Sequence, residues 1–514
     1  MHRTPQVLAA LVVAGTISIT GCATGGRPAG GAPSALGRAA RRQAYAHYTR
    51  GLLYERHARL ADAIQEYRQA LQLDYRSPQL HMRLGTGYMK LGDSTHAMQE
   101  LTRALAFDPH HIQARQALAL LYSSQGDLGR AAHEHEQILQ QAPNEPGSLS
   151  ALADLDVLQG QLAPAAALYE QLLEQEEDNS LLHFNAGILY SRLTLFDAAI
   201  THLRRAAELS PEVMEPHMAL GLNFEMQGRL DEAIQEYRQA VNLEPLNVQI
   251  YQQLGRAYVA AKQYDEAIAQ YQLILNIAPE HLEARLALVR LYLMQQQPAK
   301  AKPFIEQLLA DASKPAERRA AIGLIYRDLD MASEAVAFFE QAVKLSPEHA
   351  GVQFLLGAQY EQLGRRAEGI EHLRRAIALD PQQAEARNYL GYMQAEAGTG
   401  LEEAERFIKE ALAIDPENGA YVDSLGWVHF KQGREDEALK DVQRAIELLG
   451  DEPELYDHLG DIQATRGRLD EAVKAWQQSL KLKPAQPKLE EKVKAHPLAP
   501  LPPTVSEHVP SPVH

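Results

Sequence analysis

One cysteine and twenty histidines are the side chains of this 514-residue sequence best suited to chemistry. Cys22 carries the thiol, a group able to act as nucleophile or acyl acceptor, and it closes the run Ile19-Thr20-Gly21-Cys22. The histidine groups His110-His111 and His133-Glu134-His135 offer imidazoles to a metal ion. Residues one or two apart diverge on a helix, so neither group closes easily on one ion, and no metal or other cofactor is expected. There is no phosphate-cradling glycine loop, no Gly-x-Ser-x-Gly elbow and no His-Glu-x-x-His pair. A formal net charge of -17 argues against nucleic acid, whose phosphates need concentrated positive charge. The expectation is a protein that is not an enzyme.

The segment before Cys22 determines what its thiol can do. A basic start (His2, Arg3) leads into an apolar stretch from Val7 to Ile19, too short to remain in a bilayer as a spanning helix. Residues 1–21 read as a cleaved export signal. The four residues ending at Cys22 resemble a bacterial lipobox, with Ile19 where Leu is commonest. That resemblance implies cleavage before Cys22 and diacylglycerol on its sulfur, and two or more acyl chains are enough for stable anchoring. Ala23 follows where an Asp would favour inner-membrane retention, so the implied destination is the outer membrane, facing the periplasm. Residues 22–43, rich in Gly, Ala, Pro and Arg, read as the lipidated cysteine and a flexible tether.

From Ala44 the chain repeats with a period of 34. Repeats begin at 44, 78, 112, 146, 180, 214, 248, 282, 316, 350, 384, 419 and 453, with one inserted residue in the eleventh. The eighth position of each is Gly or Ala, except Val289 in the eighth repeat. Position 20 is Ala, except Gly369 in the tenth; in the eleventh the insertion moves it to Ala404. Small residues in both columns let two helices approach closely. Prolines such as Pro109, Pro245 and Pro347 end the second helix of each pair. These columns are those of tetratricopeptide repeats, and the resemblance implies an all-α, right-handed superhelical solenoid of about 13 helix-turn-helix units over residues 44–486. Residues 487–496 read as a capping helix and 497–514 as a Pro-rich disordered tail. In the eighth repeat Val289, Pro298, Pro303 and Ser313 break the pattern, which predicts a weak point near residues 295–315.

In a tetratricopeptide solenoid, positions 2, 5, 9, 12 and 13 of each first helix face the groove. Here they include Phe184, Ile188, Met218, Leu222, Met226, Leu286, Leu293, Met294, Leu324, Phe354, Tyr392, Trp427 and Phe430. So apolar a groove suits a protein or extended-peptide partner. Arg256, Arg290 and Arg327, from consecutive repeats, form an arginine ladder suited to a carboxylate-bearing segment, with Arg192 upstream. The Lys/Asn arrangement of chaperone-binding carboxylate clamps is missing.

The last three repeats read Asn388-Tyr389-Leu390-Gly391-Tyr392, Tyr421-Val422-Asp423-Ser424-Leu425-Gly426-Trp427 and Tyr456-Asp457-His458-Leu459-Gly460-Asp461. The series resembles bacterial envelope tetratricopeptide lipoproteins, one class of which brings cell-wall hydrolases to a periplasmic carboxyl-terminal processing protease. By that resemblance Trp427, Asp423, Asp457 and Asp461 are partner contacts. It implies a membrane-anchored scaffold or adaptor. The alternatives are an assembly factor for an export or polysaccharide-secretion machine and a structural cell-wall-associated lipoprotein.

Overall fold

The computed structural model describes residues 37–496. Cys22, the segment read as an export signal, most of that read as a tether and the Pro-rich segment 497–514 lie outside the described residues. Within them are 27 α-helices and no strand. None of these helices is long and apolar enough to cross a membrane. The chain divides into two compact bodies, Met1–Asn223 and Phe224–His514. Within each, first and second helices alternate and pack on their neighbours in sequence. The fold is an all-α tetratricopeptide solenoid.

The two small-residue columns set the spacing of each pair. The position-20 alanines are buried throughout, at 2% exposure for Ala63 and 0% for Ala97, Ala199 and Ala404. A Cβ on Gly391 would lie 2.9 Å from the carbonyl oxygen of Ala404, so backbone meets backbone there. In the tenth repeat both columns are glycine, and a Cβ on Gly357 would come 2.9 Å from the Gly369 carbonyl. The turn between the helices is equally constrained. Position 15 has positive φ in all thirteen repeats, from Gly92 at 78° and Gly126 at 77° to Thr194 at 60° and Lys262 at 60°. Glycine takes this left-handed conformation without strain; the β-branched Thr194 does so at a cost of about 1–2 kcal/mol.

A second polar device joins one repeat to the next. In several repeats the side chain at position 4 reaches back six residues to the carbonyl at position 32 of the preceding repeat. His81 makes this bond to Tyr75 at 3.0 Å, Arg115 to Pro109 at 2.9 Å, Tyr251 to Pro245 at 3.1 Å and Gln353 to Pro347 at 2.6 Å. Four different donors satisfy the equivalent turn carbonyl. Several of these side chains also grip position 23 on the second helix, as in Arg115–Glu134 at 2.6 Å and His81–Glu100 at 2.6 Å. Neither link was visible in the hydrophobic pattern.

Two boundaries differ from the sequence reading. The first helix, Arg38–Arg56, begins six residues before the expected repeat start at Ala44, so the flexible tether does not extend to residue 43. Arg38, Ala39, Ala40, Arg41, Arg42 and Gln43 are all good helix formers, and nothing among them stops the helix growing back from the first repeat. The expected capping helix, Pro487–Ala495, starts 34 residues after the thirteenth repeat and is the first helix of an unfinished fourteenth. Leu489 at its position 3 is buried at 2%. Charged Lys488, Glu490, Glu491 and Lys494 surround it, a polar cap as stacked repeats require. At the other end position 7, Leu, Ile or Ala in repeats 2–13, is Arg50.

The eighth repeat keeps a continuous second helix, Pro298–Ala310, with Pro303 inside it. Pro298 occupies the first turn, where no N–H is needed. Pro303 has no N–H to give the Ala299 carbonyl. Asp311 takes over the usual proline's task of ending the helix: its carboxylate accepts from Ser313 N at 2.9 Å and from Arg318 Nη2 at 2.8 Å. With one backbone bond lost, amides over residues 299–312 are expected to exchange faster than those of the second helices of repeats 7 and 9. Native-state hydrogen exchange resolves this, and uniform protection across the three would remove the weak point.

Candidate functional site

The predicted partner-facing residues fall into three groups, each confined to one body. In the first body, Phe184, Ile188, Met218 and Leu222 are all half-buried on the first helices of repeats 5 and 6, Ser180–Arg192 and Glu215–Met226. Exposed apolar side chains sit on the same helices or their neighbours: Leu158 at 67% and Leu181 at 65%. Asp154, at position 9 of the preceding repeat 4, accepts from the Tyr169 hydroxyl at 3.1 Å. Burial raises its pKa above the usual carboxylate value, and the Tyr169 hydrogen bond opposes this. Arg192 is exposed.

The arginine ladder of the second body is partly closed on itself. Arg290 Nη2 and Arg327 Nη2 each bond Asp328, both at 2.8 Å. Burial works against charge on Asp328, yet the two guanidiniums hold its carboxyl below the usual range. Arg256 alone of the three extends into solvent with no ion pair among the described residues. The ladder therefore offers one free guanidinium rather than three. Of the apolar side chains beside it, Leu293 is buried at 7% while Met294 remains 38% exposed.

The last repeats differ most from expectation. Trp427, on the helix Gly419–Lys431, is only 6% exposed. Its ring stacks on His458 at 4.1 Å and on Phe430 at 5.0 Å, Lys431 Nζ lies 4.6 Å over it, and its Nε1 donates to Glu396. Asp423, 9% exposed, accepts from His458 Nδ1 at 3.0 Å. Burial pushes His458 toward the neutral form; the Asp423 charge and hydrogen bond outweigh it and raise the pKa. Asp457 and Asp461 both accept from Lys492 of the closing helix, at 2.8 and 2.6 Å, and Asp461 also accepts from Trp476 Nε1 at 3.0 Å. The four residues taken as partner contacts thus spend their bonding capacity inside the chain.

A single register explains this. Position 6 of one first helix lies on position 5 of the one before it: Tyr389 against Phe354, with ring centroids 6.0 Å apart at 89°; His458 on Asp423; Lys492 on Asp457. His458 and Lys492 are the residues that sequence reasoning missed, and the 35-residue spacing was the signal. Tyr392 stays half-buried 6.4 Å from His458, and burial together with Glu396, Asp423, Glu361 and Glu454 raises its phenol pKa. Phe354, Tyr392 and Phe430 are the apolar and aromatic members of this group that keep the most accessible surface, beside the partly exposed Asp457 and Asp461.

The adjacent histidines diverge as expected. His111 is buried with Nδ1 accepting from Ala114 N, while His110 is exposed; His135 is buried and His133 exposed. No group of three or more His, Cys, Asp or Glu among the described residues is placed to hold a metal ion.

Sequence comparison matches family models described as tetratricopeptide repeat to residues 78–111, 150–212, 184–248, 225–280, 260–325, 316–349, 354–419 and 424–487. No curated protein matches the chain. Among solved structures, yeast Tom70 is 15% identical, covering 88% of this chain and 99% of its own, with a TM-score of 0.38. A thermophilic TPR protein of Thermus thermophilus is 22% identical over 35% of this chain and 98% of its own, TM-score 0.32. A tetratricopeptide repeat protein from Parabacteroides merdae is 18% identical over 48% and 98%, TM-score 0.35.

Proposed function

Since the chain belongs to the tetratricopeptide-repeat family, a class of protein-binding scaffold, we propose that it is a lipid-anchored periplasmic scaffold that recruits protein partners to the outer membrane. The observation carrying this reading is the set of half-buried apolar residues on the first helices, Phe184, Ile188, Met218 and Leu222 in one body and Phe354, Tyr392 and Phe430 in the other. Their polar neighbours are largely satisfied internally, so binding there proceeds by covering apolar surface. Arg256 supplies one guanidinium for a carboxylate on the partner. Cys22 supplies the address, on the strength of the lipobox-like run that it closes. The finer role is an adaptor that brings a cell-wall hydrolase to a processing protease.

Two measurements test this. Cys22→Ser is expected to move the protein from the membrane pellet to the soluble fraction while its helical content stays unchanged; retention in the pellet overturns the anchor. Co-purification from detergent-solubilised envelopes is expected to recover a protease together with a hydrolase, and Phe184→Asp combined with Phe354→Asp is expected to reduce recovery at least tenfold. Recovery of secretion components instead would assign an assembly role, and peptidoglycan alone a structural one.

A further inference from the structure

The pairing of position 4 with position 23 takes an unusual form in repeat 5. Here both residues are histidine: His183 on the helix Ser180–Arg192 and His202 on the helix Phe196–Leu209. Their Nδ1 atoms are 3.0 Å apart. The other nitrogen of each ring is already committed. His183 Nε2 donates to the Glu177 carbonyl at 2.9 Å, the same backward bond that position 4 makes elsewhere. His202 Nε2 lies 2.9 Å from Glu170 Oε1, which also accepts the Tyr190 hydroxyl at 2.8 Å. Carbonyl and carboxylate oxygens can only accept, so both Nε2 atoms carry the proton. In the neutral rings each Nδ1 then points a lone pair at the other across 3.0 Å. Two unprotonated nitrogens this close repel unless they share a proton or both bind one cation seated to the side of the line joining them.

We propose that His183 and His202 form a binding site for one divalent late first-row metal ion, held by the two Nδ1 atoms, with water completing its coordination. Metal-bound imidazoles ordinarily donate their second nitrogen to a carbonyl or carboxylate, which fixes the ring, and both rings here do so. With metal–nitrogen bonds of about 2.0–2.1 Å, the separation corresponds to a bite angle of roughly 90–95°. That angle suits tetragonal Ni2+ or Cu2+ as the rings stand; tetrahedral Zn2+ requires them to part by a few tenths of an ångström. Tyr190 stacks on His202 at 5.4 Å and 19°, holding the ring from the side, and 16% of the His202 side chain remains open to solvent. Burial lowers the His202 pKa, facing His183 adds to this, and nearby Glu170 only partly opposes it. The sequence expectation of no metal considered histidines adjacent in the chain; these two are nineteen residues apart and meet across a helix pair.

The tenth repeat supplies a control built by the chain itself. There position 4 is Gln353, whose Oε1 lies 2.6 Å from His372 Nδ1 while its Nε2 donates to the Pro347 carbonyl. His183→Gln therefore reproduces a pairing this fold already uses and removes one metal ligand. The test is titration of the purified full-length protein with NiCl2 at pH 7.5, by calorimetry, with circular dichroism to verify folding. The wild-type chain is expected to bind one Ni2+ more than His183→Gln, or to bind it at least tenfold more tightly. His202→Gln repeats the comparison from the second helix. Identical isotherms for the wild type and both folded variants overturn the site, as would a histidine NMR titration in which the pair takes up a single proton that Ni2+ does not displace.

Discussion

Replacing Trp427 by Ala is expected to destabilise the last three repeats by ~3–5 kcal/mol, the range for deleting a fully packed aromatic side chain. The indole is the centre of a stack running from Phe430 through Trp427 to His458, and its Nε1 satisfies Glu396. Truncation opens a cavity, uncovers the buried His458–Asp423 pair and leaves Glu396 without its donor. Trp427→Phe keeps most of the stack and forfeits chiefly the hydrogen bond, so its cost should be nearer 1 kcal/mol. The protein has two tryptophans, so in Trp427→Ala the fluorescence of Trp476 alone reports on the C-terminal repeats during urea unfolding. A wild-type unfolding midpoint combined with lost partner capture would restore Trp427 to the role of a contact.

The second large effect is expected at Gly391. Gly391→Val places a Cβ 2.6 Å from Ile408 Cγ1 and 2.9 Å from the Ala404 carbonyl oxygen. A side-chain carbon can swing aside; a helical carbonyl cannot without moving the helix. Overpacking of this kind costs about 1–3 kcal/mol when neighbours adapt and more when they do not. Even Gly391→Ala, which gains about 1 kcal/mol of helix propensity, should be net destabilising. Gly255→Ala is the comparison, because its nearest obstacle is the Tyr271 ring at 3.0 Å and no backbone atom is in the way. Chemical denaturation of the two alanine variants should rank Gly391→Ala as the less stable. The reverse order would mean that the position-8 column is not held small by backbone contact.

These two sites mark the division between what one repeat's sequence encodes and what only neighbouring repeats encode. The position-8 and position-20 columns, the glycine turns and the prolines are local: each recurs within its own 34 residues, so the helix pairs and their close approach were legible. The partners of Asp423 and Asp457 were not. They come from position 6 of the following first helix, or from the unfinished fourteenth repeat, and a reading that assigns faces within one helix has no place for them. Trp427 was assigned to the groove by its position number, but His458 and Glu396 enclose it from the repeats on either side. Phe184, Ile188 and Phe354 kept accessible surface, Phe354 even with Tyr389 of the next repeat against one side of its ring. The early helix start at Arg38 escaped notice for a different reason: periodicity locates repeats, whereas a helix continues through any residues that do not stop it.

The backward hydrogen bond from position 4 has a consequence for how such a chain can change over time. Because histidine, arginine, tyrosine and glutamine all reach the same carbonyl, mutation among them leaves the joint between repeats intact. Where the bond is made, the position is constrained to a side chain able to donate and is otherwise broadly free in chemical identity. Each repeat that makes this bond holds a slot in which a new functional group can be tried without first risking the fold, and the chain carries several such slots within one gene.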